Sequence, residues 1–202
     1  MKVTVIDYGL SNLLSVRHAF AHFGAETLLT SDPADVLAAE KLVLPGVGAF
    51  KDGMDGLARL GLIEPIRQKA AAGTPLLGIC LGMQMLLDSS SEMGGDQGLG
   101  LIPGKVERIE TALKLPHIGW NSIKIVHNNP LTRGLSDGDY VYFVHSFCAV
   151  VACGEDLAMT TDYGGTVTAM VAHGMTFGCQ FHPEKSGPVG MTILKNFGEL
   201  TK

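Results

Sequence analysis

The chain has 202 residues, of which 46% are apolar, only 17% are charged and 26 are glycine. Soluble domains average about 25% charge and about 7% glycine, so the balance excludes a disordered chain, and the glycines follow no collagen-like period. A net charge of -5 without any Lys/Arg cluster argues against nucleic acid as a partner.

Residues 2–7 predict a first strand closed by Tyr8-Gly9, and a helix follows from about Asn12 to Phe23 with Leu13, Val16, Phe20 and Phe23 on one face. Ala25 to Thr30 predicts a strand, and Pro33 suits the first position of a short helix. Lys41 to Leu44 reads as a buried strand ended by Pro45-Gly46-Val47-Gly48. A helix over 62–72, a strand over 76–79 and a helix over 81–87 complete an alternation typical of a parallel sheet.

After Ser89 the texture changes. A glycine-rich loop is followed by strand-like runs at 104–110, 122–126, 139–146, 156–161, 166–172 and 175–181. Tyr163-Gly164-Gly165 and His173-Gly174 predict tight hairpins. A last amphipathic helix starts near Pro188. The expected fold is α/β and flavodoxin-like: a mostly parallel sheet flanked by helices, with an antiparallel β-rich C-terminal half, forming a single domain over 1–202.

Residues 70–87 and 163–183 lack charged side chains, but Gly73-Thr74-Pro75 and Gly164-Gly165 with His173-Gly174 divide them, so no membrane span is expected. The N-terminal apolar stretch is too short for a signal peptide and Asp7 interrupts it, which leads to an expected cytoplasmic location with reduced cysteines. Cys80, Cys148, Cys153 and Cys179 form no C-x-x-C pair or zinc spacing, and the last three are expected to fill core space. His18 and His22 are spaced i, i+4 without a third ligand and read as a solvated helix face, so no metal is expected.

Gly78-Ile79-Cys80-Leu81-Gly82 places a cysteine where a strand turns abruptly into a helix. This is the arrangement of a nucleophile elbow, although a cysteine in an apolar run is also commonly structural. His182-Pro183-Glu184 ends a predicted strand, where open α/β sheets place their sites. Pro183 keeps the segment extended, so Glu184 can hold the imidazole; a strand-ending turn with a solvated glutamate is the plainer alternative. Beside a cysteine elbow, the set reads as nucleophile, acid/base and orienter. Gly46-Val47-Gly48 can offer backbone N–H groups to an oxyanion or serve as a simple turn, and neither the Rossmann nor the Walker glycine pattern is present.

Together, Gly78-Ile79-Cys80-Leu81-Gly82-Met83-Gln84, Phe181-His182-Pro183-Glu184-Lys185-Ser186 and Pro45-Gly46-Val47-Gly48 resemble the triad-type (class I) glutamine amidotransferases. Asp7-Tyr8-Gly9 with Asn12, Pro116-His117-Ile118-Gly119-Trp120-Asn121 and Tyr142-Phe143-Val144-His145-Ser146 narrow the resemblance to the glutaminase subunits of imidazole glycerol phosphate synthase. The resemblance implies Cys80, His182 and Glu184 as catalytic residues, with Val47 and Leu81 in the oxyanion hole. It implies glutamine contacts from Gly46, Gly48, Gln84, Glu92, Ser146 and Phe147, where the family commonly has tyrosine at the last. It also implies no cofactor, and a (β/α)8-barrel cyclase partner that receives ammonia and is met by Asn12, Trp120, Tyr142 and Lys185. A lone tryptophan is otherwise an ordinary core residue. The rival readings are an amidotransferase of pyridoxal phosphate or anthranilate synthesis, and a non-catalytic binding or redox-sensing module.

Overall fold

The computed structural model describes residues 1–10 and 12–201. Its first half alternates β1 (Lys2–Ile6), α1 (Leu13–Ala21), β2 (Glu26–Thr30), α2 (Pro33–Ala38), β3 (Leu42–Gly46), α3 (Phe50–Arg59), α4 (Ile63–Ala71), β4 (Leu76–Cys80) and α5 (Leu81–Met85). The second half contains β5 (Leu87–Ser90), β6 (Asp96–Gln97), β7 (Ile102–Arg108), β8 (His117–Ser122) and β9 (Lys124–Ile125). These are followed by β10 (Tyr140–His145), β11 (Phe147–Val151), β12 (Leu157–Asp162), β13 (Thr166–His173), β14 (Thr176–Cys179) and α6 (Gly187–Glu199).

The main sheet has the order β2-β1-β3-β4-β14-β13-β12-β9. The first five strands in that order run parallel, and the remaining pairings are antiparallel. Alternation along the buried strands explains the layers. Val43, Leu77 and Ile79 pack with Val16, Phe20, Ile193 and Phe197 of α1 and α6. Leu42, Leu44 and Leu76 point the other way, onto Val36, Met54, Leu57, Ile66 and Leu81 of α2 to α5. Asp32 accepts the Ala34 N–H at 2.8 Å with Pro33 at the first position, so α2 starts where the sequence predicts.

The expected α/β architecture and both hairpins are present. The charge-free runs are cut into short strands and helices, and no helix among the described residues is long and apolar enough to cross a membrane. Several elements differ from expectation. Helix α3 falls in a stretch, between Gly48 and Leu62, for which the sequence reading names no element, and it contains Gly53 and Gly56. Both are packing positions: a Cβ at Gly53 would meet Met85 Sδ at 2.7 Å, and one at Gly56 the Tyr8 carbonyl at 3.0 Å. Strand β8 begins five residues before the expected run at 122–126. The run predicted as a strand over 139–146 continues through Ser146 into a second strand and changes sheet. Strand β10 pairs with β8 in a separate ribbon, while β11 joins the sheet β11-β7-β5-β6. Cys179 is buried as expected, Cys148 is half-buried, and Cys153 is exposed at a turn rather than filling the core. His18 and His22 both face solvent.

Candidate active site

The parallel strands β3 and β4 end side by side, with Gly46 opposite Cys80 in the register. Cys80 has φ 54° and ψ -110°, a conformation closed to most L residues and costing about 1–3 kcal/mol. Glycine at 82 makes the turn sterically feasible, since a Cβ there would collide with the Leu44 carbonyl. The elbow lifts the sulfur into a cavity of about 440 Å³ that His182 also lines.

His182 follows β14, the strand next to β4, so adjacency in the sheet brings the two groups together. Its Nδ1 lies 2.9 Å from Glu184 Oε1, and both side chains are almost wholly buried. Burial alone would lower the imidazole pKa. Hydrogen bonds and charges of Cys80 and Glu184 outweigh it and raise the value to about 9. The backbone here is clamped as well. The His182 N–H donates to the Tyr142 carbonyl at 3.0 Å, while the buried Ser186 hydroxyl donates to the His182 carbonyl at 2.6 Å and accepts the Tyr142 N–H at 3.0 Å.

The other expected residues divide into three groups. Gly48, Leu81, Ser146 and Phe147 line the cavity. Gln84 and Glu92 also line it but are partly committed. Gln84 Nε2 donates to the Phe147 carbonyl at 3.1 Å and to Gln180 Oε1 at 3.0 Å. Glu92 Oε2 accepts the Phe50 N–H at 2.7 Å, capping α3. Gly46 and Val47 are engaged by other groups of the protein. Gly46 is not among the residues lining the cavity and packs closely on Tyr8, whose hydroxyl a Cβ there would strike. Val47 reaches the cavity, but its N–H donates to the Leu10 carbonyl at 2.9 Å, so this expected oxyanion donor is spent elsewhere.

Two groups had no role assigned from the sequence. Buried Gln180 points Nε2 at Cys80 Sγ, 3.8 Å away. A polar chain runs from Asn121 Nδ2 to His117 Nε2 (3.3 Å), from His117 Nδ1 to His145 Nε2 (3.0 Å) and from His145 Nδ1 to the Phe147 carbonyl (2.8 Å). Because the last acceptor is a carbonyl, His145 donates through Nδ1 and accepts at Nε2, which fixes both neutral tautomers. Burial first, with His117 and His182 nearby, pushes His145 down to about 4 against its hydrogen bond to Phe147.

Of the expected interface residues, Trp120 is 55% exposed and lies opposite Tyr142, their rings 6.0 Å apart. Ile118, Tyr140 and Val144 extend this apolar face, and Val144 also borders the cavity. Lys185 lines the cavity. Asn12 stands at the start of α1 and accepts the Ser15 hydroxyl at 3.0 Å.

A strained cysteine facing a carboxylate-held histidine at the C-terminal ends of two adjacent parallel strands defines a nucleophilic acyl-transfer site. The class-I glutamine amidotransferase family matches residues 4–200, and the chain belongs to that family. It is 48% identical over 205 residues to the imidazole glycerol phosphate synthase subunit HisH of Syntrophotalea carbinolica, covering 98% of this chain and 100% of that one. It is 51% identical to the HisH subunit of Streptococcus gordonii, covering 96% and 94% of the two chains. A solved structure of PurLQS from Thermotoga maritima superposes with TM-score 0.77 at 22% identity, covering 97% of this chain and 96% of that one, and shares the fold.

Proposed function

We propose that the chain hydrolyses glutamine as the ammonia-producing subunit of an imidazole glycerol phosphate synthase in histidine biosynthesis. The observation that carries this reading is the strained Cys80 facing His182, itself held by Glu184 at 2.9 Å. The near-full-length similarity to HisH subunits supports the pathway.

His182 takes the proton of the Cys80 thiol, and the sulfur attacks the side-chain amide carbon of glutamine. Leu81 N–H, at the start of α5, donates to the oxyanion. As the tetrahedral intermediate collapses, the C–N bond breaks and the proton on His182 passes to nitrogen, releasing ammonia and leaving a γ-glutamyl thioester. His182 then deprotonates water, which cleaves the thioester to glutamate and restores the thiol. Glu184 orients the imidazole and offsets its positive charge. Rotation of the Gly46–Val47 peptide would exchange the Val47–Leu10 bond for a second oxyanion donor.

Ammonia in water near neutral pH is mostly ammonium and no nucleophile, so it needs a shielded route to its acceptor. The face formed by exposed Ile118, Trp120, Tyr140 and Val144 with half-buried Tyr142 is suited to docking a (β/α)8-barrel cyclase over the cavity mouth. Both the His182 N–H and the Ser186 hydroxyl bond to Tyr142 of that face, so docking bears directly on the triad. The test is glutaminase activity of the chain alone, with the cyclase, and with cyclase plus its nucleotide ligand. Activity that rises at each addition supports the reading; glutamine left intact in all three contradicts it.

A further inference from the structure

Arg108 occupies a position that the steps above do not use. It is the last residue of β7 and lies directly opposite Phe147, the first residue of β11. Directly opposed residues of an antiparallel pair project to the same face of the sheet. Both line the cavity that contains Cys80 and His182. The Ile109 N–H bonds the Ser146 carbonyl at 3.0 Å, which fixes this strand end against the cavity wall.

Arg67 and Arg133 are paired with Glu64 and Glu199, but Arg108 makes no ion pair among the described residues. A carboxylate stands nearby. Ser90 lies opposite Val106 in the parallel β5/β7 pair, and the Ser91 N–H bonds the Val106 carbonyl at 2.9 Å. Two residues further along each strand, Glu92 and Arg108 therefore leave the sheet at the same end. One Glu92 oxygen caps α3, and the other makes no hydrogen bond among the described residues.

An α-amino acid with its side-chain amide at Cys80 presents an ammonium and a carboxylate at its far end. Glu92 and Arg108 match those two charges at one end of the cavity. Lys185, the one lysine in the lining, follows His182 by three residues on the wall next to β10, beside the triad. We propose that Arg108 holds the α-carboxylate of the substrate and thereby selects a free amino acid over amides lacking that charge. This rests on the glutaminase reading and assigns to it a residue that determines specificity.

The test compares the wild-type complex with cyclase and its Arg108→Gln variant on glutamine and on glutamine α-amide, whose α-carboxylate is replaced by a neutral carboxamide. Loss of a charge-assisted contact is expected to raise the glutamine KM about tenfold to a hundredfold, with kcat falling no more than about twofold. The preference for glutamine over its α-amide should shrink by at least about tenfold, and Arg108→Lys should recover part of it. An unchanged glutamine KM, or an equal loss on both substrates, overturns the assignment. A wild-type complex that hydrolyses no glutamine contradicts the glutaminase reading instead.

Discussion

Replacing Glu184 by glutamine keeps the size of the side chain and removes its charge, so it isolates what the carboxylate does for His182. In the folded protein His182 titrates near 9 instead of 6.5, a difference of about 3 kcal/mol in favour of the imidazolium. The favourable contributions of Cys80 and Glu184 exceed that figure, because they also overcome burial. If the two partners share it evenly, losing the Glu184 charge lowers the histidine by more than about one unit, or more than about tenfold in the protonated fraction above the new value. A freed tautomer adds to this; the equivalent change in a serine-protease triad costs about 10⁴-fold in kcat. Since the folded value is raised, the stabilisation of imidazolium is fully present below 6.5 and is lost as pH rises through about 9. The variant should lose it at lower pH. Glutaminase rates of the complex from pH 6 to 10, with imidazole titration by NMR, measure both effects. The expected result is a fall of roughly 10- to 10⁴-fold at pH 8 and a basic limb moved down by at least about one unit. A rate within threefold of the parent, with an unmoved limb, refutes the role given to Glu184.

Gly82→Ala places a methyl group against the Leu44 carbonyl and 2.8 Å from the Leu44 carbonyl carbon, and both belong to backbone that cannot swing aside. Destabilisation of about 1–3 kcal/mol is expected, with activity down at least about a hundredfold because Cys80 is displaced; normal activity and an unchanged melting temperature would contradict the steric account. His117→Phe keeps the stacking on Phe143 and Tyr163 but removes the donor to His145 Nε2. An unpaired buried acceptor costs about 1–3 kcal/mol, so the melting temperature should fall by roughly 2–10 °C; no fall would mean that the histidine chain contributes nothing.

The parts of this structure visible in the sequence are those governed by local rules. Gly78 and Gly82 announce the elbow because their missing side chains are needed within the same turn: a Cβ at Gly78 would sit 2.7 Å from the Gly82 backbone. The strands of the parallel half are short apolar runs between turn residues, and His182 follows one of them. The parts that were hidden depend on distant partners. Gly53 and Gly56 owe their place in α3 to the close approach of Met85 and Tyr8. No turn residue marks the change of sheet at Ser146. Gln180 acquires meaning only beside Cys80, a hundred residues away. The direction of the Val47 N–H is set by one peptide's orientation, and residue identity does not encode it. Composition alone reads a lone tryptophan as core; Trp120 is instead exposed opposite Tyr142, a placement that only the β8/β10 pairing decides.

In the proposed reaction Cys80 makes ammonia for a partner and takes no part in the partner's chemistry. Cys80→Ala in the complex, assayed for imidazole glycerol phosphate formation with glutamine and separately with ammonium salts, tests it most directly. Glutamine-dependent synthesis should be abolished while ammonium-dependent synthesis stays close to that of the parent complex. Retention of glutamine-dependent synthesis would remove Cys80 as the nucleophile and contradict the account.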